Sequence, residues 1–224
     1  KKIIVLGGGW SREREVSLKS MDQVYTILKN LYKNTEKKDI KNGKSLLELL
    51  KKVKKDTLVF PCLHGRGGGE DGAIQSFLDL HKIRYVGSGP KASSLALDKI
   101  KTKKILAEKN IPVLPHKVYS SKKKPSFEGF GDRLIVKPIN EGSSIETYLI
   151  AEDGQWENLA LKEKCFVEPY VAGRELTVGV LEKNNKSTSL EVTEIIINNV
   201  FFDYQSKYTP GLSQHILPAN IPAD

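Results

Sequence analysis

The sequence predicts an α/β protein that changes character once along its length: a parallel α/β domain over residues 1–91, then α+β domains rich in antiparallel strands. Three observations predict this. Up to residue 90, short apolar runs such as IIVL at 3–6 alternate with stretches of helical period. Between residues 116 and 197, strand-like runs follow one another with turn residues between them. The links in the first part are short, as strand–helix–strand units of a parallel sheet require.

Residues 3–6 read as a buried strand, and GGGWS at 7–11 as a turn with Ser11 as helix N-cap. A helix is expected over 13–31 with Met21, Val24, Leu28 and Leu31 on one stripe. A strand near 36–40, a helix over 44–54 with Leu46, Leu47 and Leu50 apolar, and a strand over 57–63 follow. A glycine-rich loop at 64–72 leads to a helix with Ile74, Phe77 and Leu78 inward, then a short strand at 84–87. One helix is predicted over 92–109, stopped by Pro112 and Pro115. Strands are predicted at 116–119, 133–137, 145–150, 165–169, 174–182 and 188–197, with EDGQ at 152–155 and EKNNK at 182–186 as hairpin turns. SKKKPS at 121–126 reads as a solvated loop. Boundaries are placed near residues 91 and 171.

The net charge is +9, from 36 basic and 27 acidic residues. A basic chain suggests nucleic-acid binding. Here the cations are dispersed among acids, and the densest runs, Lys51–Lys55 and Lys122–Lys124, lack interleaved aromatics on which bases could stack. The charge therefore reads as surface solvation, with no nucleic-acid partner. The apolar runs are too short to span a bilayer, and KKIIVLGGG reads as a first strand rather than a leader, so the expected location is the cytoplasm. Cys62 and Cys165 have neither CxxC spacing nor a disulfide framework. Cys62 stands two residues before His64, the spacing of a shared strand face, but a buried structural thiol is the simpler reading.

Four segments carry chemistry, with a fifth in support. GGGWSREREVS at 7–17 is a strand–glycine–helix start, a general anion cradle, in which Glu13 and Glu15 equally suit the first turn of a helix. CLHGRGGGEDGAIQS at 62–76 places a His-Gly loop between strand and helix; His64 could be a ligand or a loop histidine bonded to backbone. In LDKIKTKKIL at 97–106 and LIVKPINEGSS at 134–144, Lys137 follows an apolar strand and needs an anionic partner, while EGSS offers backbone N–H groups. CFVEPYVAGRELTVGV at 165–180 carries Glu168 and Glu175, each by itself an ordinary surface glutamate. FFDYQSKYTPG at 201–211 adds Lys207 and Tyr208, which could also be an aromatic loop packed on a neighbour.

Taken in order, these segments resemble the D-alanine–D-alanine ligases, a family of the ATP-grasp superfamily, from residue 3 to about 220. The resemblance implies a central ATP-grasp domain over 92–170 and part of a C-terminal one over 171–224 that carries a lid loop. It implies that Glu13 fixes the ammonium of the first D-alanine, with His64 nearby. It assigns Lys99, Lys137 and Lys207 to ATP phosphates, and Ser144 to the glycine-rich lid over them. Glu168 and the backbone of Pro169, Tyr170 and Val171 would read adenine, and Glu175 would hold the ribose. Glu13, Ser143 and Tyr208 would form a hydrogen-bonded set closing the site, and Tyr208 favours an amine as second nucleophile. The implied reaction joins two D-alanines through an acyl phosphate, with ATP and Mg2+, for peptidoglycan precursors, cell-wall biogenesis and cell shape, in a homodimer.

Two departures stand out. The loop after His64 has one glycine more than the family spacing, and Ile145 is followed by Glu146 where a glycine is usual. The family's magnesium ligands follow the lid, so they are expected beyond residue 224, with no metal ligand assigned in this sequence. A fragment, a split enzyme and an inactive nucleotide-binding remnant are the three accounts of that. Another ATP-grasp carboxylate–amine ligase is the remaining alternative; a dinucleotide oxidoreductase lacks its G-x-G-x-x-G fingerprint and acidic ribose ligand.

Overall fold

The computed structural model describes residues 2–67, 69–119, 128–151, 155–157, 159, 163–197 and 202–222. Contacts divide the chain into two units, one of residues 1–113 with 139–142, the other of residues 114–138 with 143–224.

The first unit is built on a sheet of β1 (Ile3–Gly8), β2 (Thr35–Ile40), β3 (Leu58–Pro61) and β4 (Arg84–Tyr85), all parallel, in the order β2-β1-β3-β4. β1 is central and apolar on both faces, as a parallel strand covered on both sides should be. Its alternation splits the core. Ile4 and Leu6 join Leu46 and Leu50 of α2 (Gly43–Lys52) and Ile74 and Leu78 of α3 (Ala73–Leu80). Val5 faces Met21 of α1 (Arg14–Leu31), with Cys62 beside them.

The predicted helix stripes hold in part. Leu31, on the predicted stripe of the first helix, and Phe77, expected inward, are exposed, at 68% and 37%. Each lies at the rim of its helix's apolar arc, where a sheet of two to six residues per strand offers no cover. The N-cap position of the first helix is Glu13, which makes no side-chain capping bond, rather than Ser11, whose hydroxyl accepts from the Glu13 N–H and donates to the His64 carbonyl. The single helix expected over 92–109 is two, α4 (Pro90–Leu97) and α5 (Lys99–Glu108). Asp98 breaks it by capping α5 with its side chain. α5 ends at Glu108, and Asn110, two residues on, takes a left-handed turn before either proline.

The second unit holds two antiparallel sheets. The first, in the order β5-β8-β6-β7, comprises β5 (Lys117–Tyr119), β8 (Cys165–Pro169), β6 (Leu134–Pro138) and β7 (Tyr148–Ile150). Leu134, Val136, Cys165 and Val167 point into a core closed by Tyr119 and Trp156. By the two-residue period, Ile135, Lys137, Phe166 and Glu168 share the opposite face. β7 is shorter than predicted, because residues 143–146 form a turn. The second sheet joins β9 (Glu175–Lys183), β10 (Lys186–Ile197) and β11 (Ser213–Ile216) in the order β11-β10-β9. The predicted hairpin at 182–186 is present: Lys183 pairs with Lys186 around Asn184 and Asn185, both left-handed, as a type I′ turn demands. A short helix, α6 (Tyr204–Tyr208), precedes β11. SKKKPS at 121–126, Lys122–Lys124 and residues 152–154 of the other predicted hairpin lie outside the described residues. None of the described helices is long and apolar enough to cross a membrane.

Candidate functional site

In the first unit, the candidate residues gather at the carboxyl ends of β1 and β3, where a parallel sheet presents its loops. Glu13 is 4% exposed. Two glycines press on its carboxylate: an added Cβ on Gly65 would stand 2.5 Å from Oε2, and one on Gly142 2.9 Å from Oε2 and 3.0 Å from Oε1. Gly65 also has φ of +72°, so glycine is required there by space and by backbone.

His64 is oriented by two side chains. Its Nδ1 lies 3.2 Å from Glu70 Oε1 and its Nε2 3.1 Å from Ser20 Oγ. Glu70 Oε2 in turn accepts the Gly65 N–H at 2.9 Å. The bond to Glu70 raises the His64 pKa above the ordinary imidazole value against the opposing effect of burial, and the charges of Glu70 and Glu13 add to the rise. Burial acts to raise Glu70, but the bonds from His64 and Gly65 outweigh it and hold Glu70 below the ordinary value. The alternative of a histidine side chain spent on backbone is therefore replaced by a side-chain network. Ser20 and Glu70 were not singled out in the sequence. The G-E of GGGEDG was the available signal for Glu70; a serine in mid-helix gives none.

Lys99 opens α5. Its backbone N–H donates to Ile139 O at 3.1 Å, and its Nζ donates to the carbonyls of Ile139 and Glu141. The lysine thus organises the residue 139–142 segment that brings Gly142 to Glu13.

In the second unit, Lys137 ion-pairs with Glu168 across the β6–β8 ladder and lies over the Phe166 ring, 5.6 Å from its centroid. Glu168 is buried. The anionic partner that a lysine after LIV requires is this glutamate. The Tyr170 N–H donates to Arg133 O, which fixes the chain where it leaves β8. Val171 and Glu175 are exposed.

The lid candidates meet. Ser143 Oγ and Tyr208 OH are hydrogen-bonded at 2.6 Å, and Ser144 Oγ donates to Phe202 O at 2.8 Å. Lys207 Nζ stands 5.1 Å from the Phe202 ring centroid. Asp203 caps α6 by accepting from the Ser206 N–H.

Both cysteines are buried and free, and burial pushes each thiol up to about 11. Cys62 packs in the core with Val5 and Met21, as a structural cysteine does. Among the described residues, no group of three His, Cys, Asp or Glu side chains is placed to hold a metal ion.

A parallel α/β unit followed by an antiparallel α+β unit is the architecture of ATP-grasp proteins. Residues 30–88 match the family model "D-ala D-ala ligase N-terminus" and residues 105–224 match "D-ala D-ala ligase C-terminus". The D-alanine–D-alanine ligase of Zymomonas mobilis is 39% identical over 236 residues, covering 100% of this chain and 70% of that protein. That of Carboxydothermus hydrogenoformans is 38% identical, covering 98% and 73%. D-alanyl-alanine synthetase A of Vibrio cholerae superposes with a TM-score of 0.78 at 26% identity, over 100% of this chain and 76% of that one. The chain belongs to the D-alanine–D-alanine ligase family.

Proposed function

We propose that this chain binds ATP and D-alanine and serves the ATP-dependent joining of two D-alanines. The observation that carries the reading is the Ser143–Tyr208 hydrogen bond: two residues assigned to one closing set meet although they are far apart in sequence.

ATP would phosphorylate the carboxylate of the first D-alanine, and the amine of the second would attack the acyl phosphate and expel inorganic phosphate. The protein's work is orientation and charge neutralisation. Glu13 accepts the first ammonium; its burial favours a cation that brings its own counter-charge. His64, held by Glu70 and Ser20, presents a fixed ring beside it. Lys99, Lys137 and Lys207 offset phosphate charge, and Lys137 must exchange part of its pairing with Glu168 to do so. Ser144 contributes to the lid. Glu168, the backbone of Pro169, Tyr170 and Val171, and Glu175 take the nucleoside. Mg2+, when bound, would polarise the transferred phosphoryl group. Division at residues 91 and 170, a homodimeric state, a cytoplasmic location and a role in peptidoglycan supply belong to this same reading.

Calorimetric titration with a non-hydrolysable ATP analogue, followed by coupled detection of ADP release with D-alanine, tests it. The expected result is saturable binding and release stimulated by D-alanine. Binding without such release would leave a nucleotide-binding module, and stimulation by L-amino acids alone would replace D-alanine as substrate.

A further inference from the structure

The turn from β6 to β7 is strained in one short stretch. Ser143, Ser144 and Glu146 have φ of 50°, 56° and 53°. The left-handed region is unfavourable for a residue with a Cβ. The two serines have visible compensation, since their hydroxyls reach Tyr208 and Phe202 from that conformation. The Thr147 N–H closes the turn on Ser144 O at 3.2 Å. Left-handed residues in a turn direct successive N–H groups to one side and make an anion-binding concavity.

Glu146 places a carboxylate in that turn, half-buried rather than extended into solvent. It lies two residues before Tyr148, whose partner in the β6–β7 ladder is Val136, one residue before Lys137. The carboxylate therefore stands at the end of the strand that carries Lys137, and Lys137 is already engaged by Glu168. Neither backbone economy nor phosphate affinity explains a glutamate there.

We infer that Glu146 sets the nucleotide affinity of this chain: a fixed negative charge in the phosphate turn that holds the affinity for ATP down. This rests on the nucleotide reading proposed above. A like charge a few ångströms from a bound polyphosphate weakens binding, and the penalty shrinks as salt screens it.

The test compares wild type, Glu146→Gln and Glu146→Gly by titration with the ATP analogue at about 50 mM and about 500 mM salt. Far-UV circular dichroism melts confirm that each variant folds. Gln removes the charge and keeps the backbone cost; Gly removes both. Expected at low salt is binding about five- to tenfold tighter for both variants, falling to about twofold at high salt. Glu146→Gln binding as wild type overturns the inference, even if Glu146→Gly binds tighter, because the backbone would then be the cause. A ratio unchanged by salt also overturns it. Wild-type binding with unaltered variants defeats this inference alone; absence of binding in all three defeats the nucleotide reading and the inference with it.

Discussion

The hydroxyls of Ser143 and Tyr208 stand 2.6 Å apart although 65 residues separate them in sequence. The bond ties the β6–β7 turn to α6. Tyr208→Phe keeps the ring beside Tyr204 and removes the hydroxyl, so it should cost about 1 kcal/mol in urea unfolding. Ser143→Ala should cost a similar amount, and the double variant little more than either single one. A coupling energy near zero in that cycle would show that the two hydroxyls are neighbours without being partners. Under the ligase reading, D-alanine-stimulated ADP release falls in both single variants.

Gly65→Ala and Gly142→Ala both aim a methyl group at the Glu13 carboxylate. At Gly65 the added Cβ also meets a positive φ, so this variant should lose about 2–3 kcal/mol of stability. Gly142 has the contact without that backbone demand, so stability should fall by less, about 1 kcal/mol. Its effect is expected instead in the KM for D-alanine, raised about tenfold by a carboxylate pushed off its position. An unchanged KM in Gly142→Ala would show that the carboxylate does not bind substrate where it stands.

Much of this was legible in the chain, for reasons that differ by residue. β1 was readable because IIVL has no polar residue to place on either face. The hairpin at 182–186 was readable because two asparagines tolerate the left-handed turn. The candidate residues could be named from ordered motifs, each of a few neighbouring residues, and of these the structure brings Ser143 to Tyr208 and Lys137 to Glu168. What escaped depends on distance in space. Lys137 was known to need an anion, but Glu168 becomes that anion only through the β6–β8 register, 31 residues on. Ser20 reaches His64 only because α1 packs beside the end of β3. The break at Asp98 escaped because a helical period runs through it, and a capping side chain outweighs that weak preference.

The His64–Glu70 bond makes a pH-dependent contribution to stability whose sign is fixed by the two shifts. His64 is raised in the folded chain, so its contribution is full below the ordinary value of 6.5 and is lost as pH rises through the raised value. Glu70 is lowered, so its contribution is full above 4.5 and is lost as pH falls through the lowered value. The pair therefore stabilises most between about 4.5 and 6.5. Glu70→Gln should return the His64 ring proton, followed by NMR, toward an ordinary titration. It should also flatten the fall in stability above pH 6.5. A His64 titration unaffected by Glu70→Gln would mean that the bond is not maintained in solution.

Lys137 and Glu168 form the pair whose separation should be most costly. Glu168 is buried, and Lys137 is its cationic partner across the ladder. Lys137→Met fills the space with a chain of similar length and leaves the carboxylate without that counter-charge, so a loss of about 3 kcal/mol is expected. Adding Glu168→Leu removes the stranded charge and should restore most of the loss, since a buried pair replaced by apolar side chains is often neutral. The stabilised double variant should nonetheless fail to bind the ATP analogue, because both groups assigned to the nucleotide are gone. Stability regained together with nucleotide binding would remove Lys137 and Glu168 from the site and leave them a structural pair.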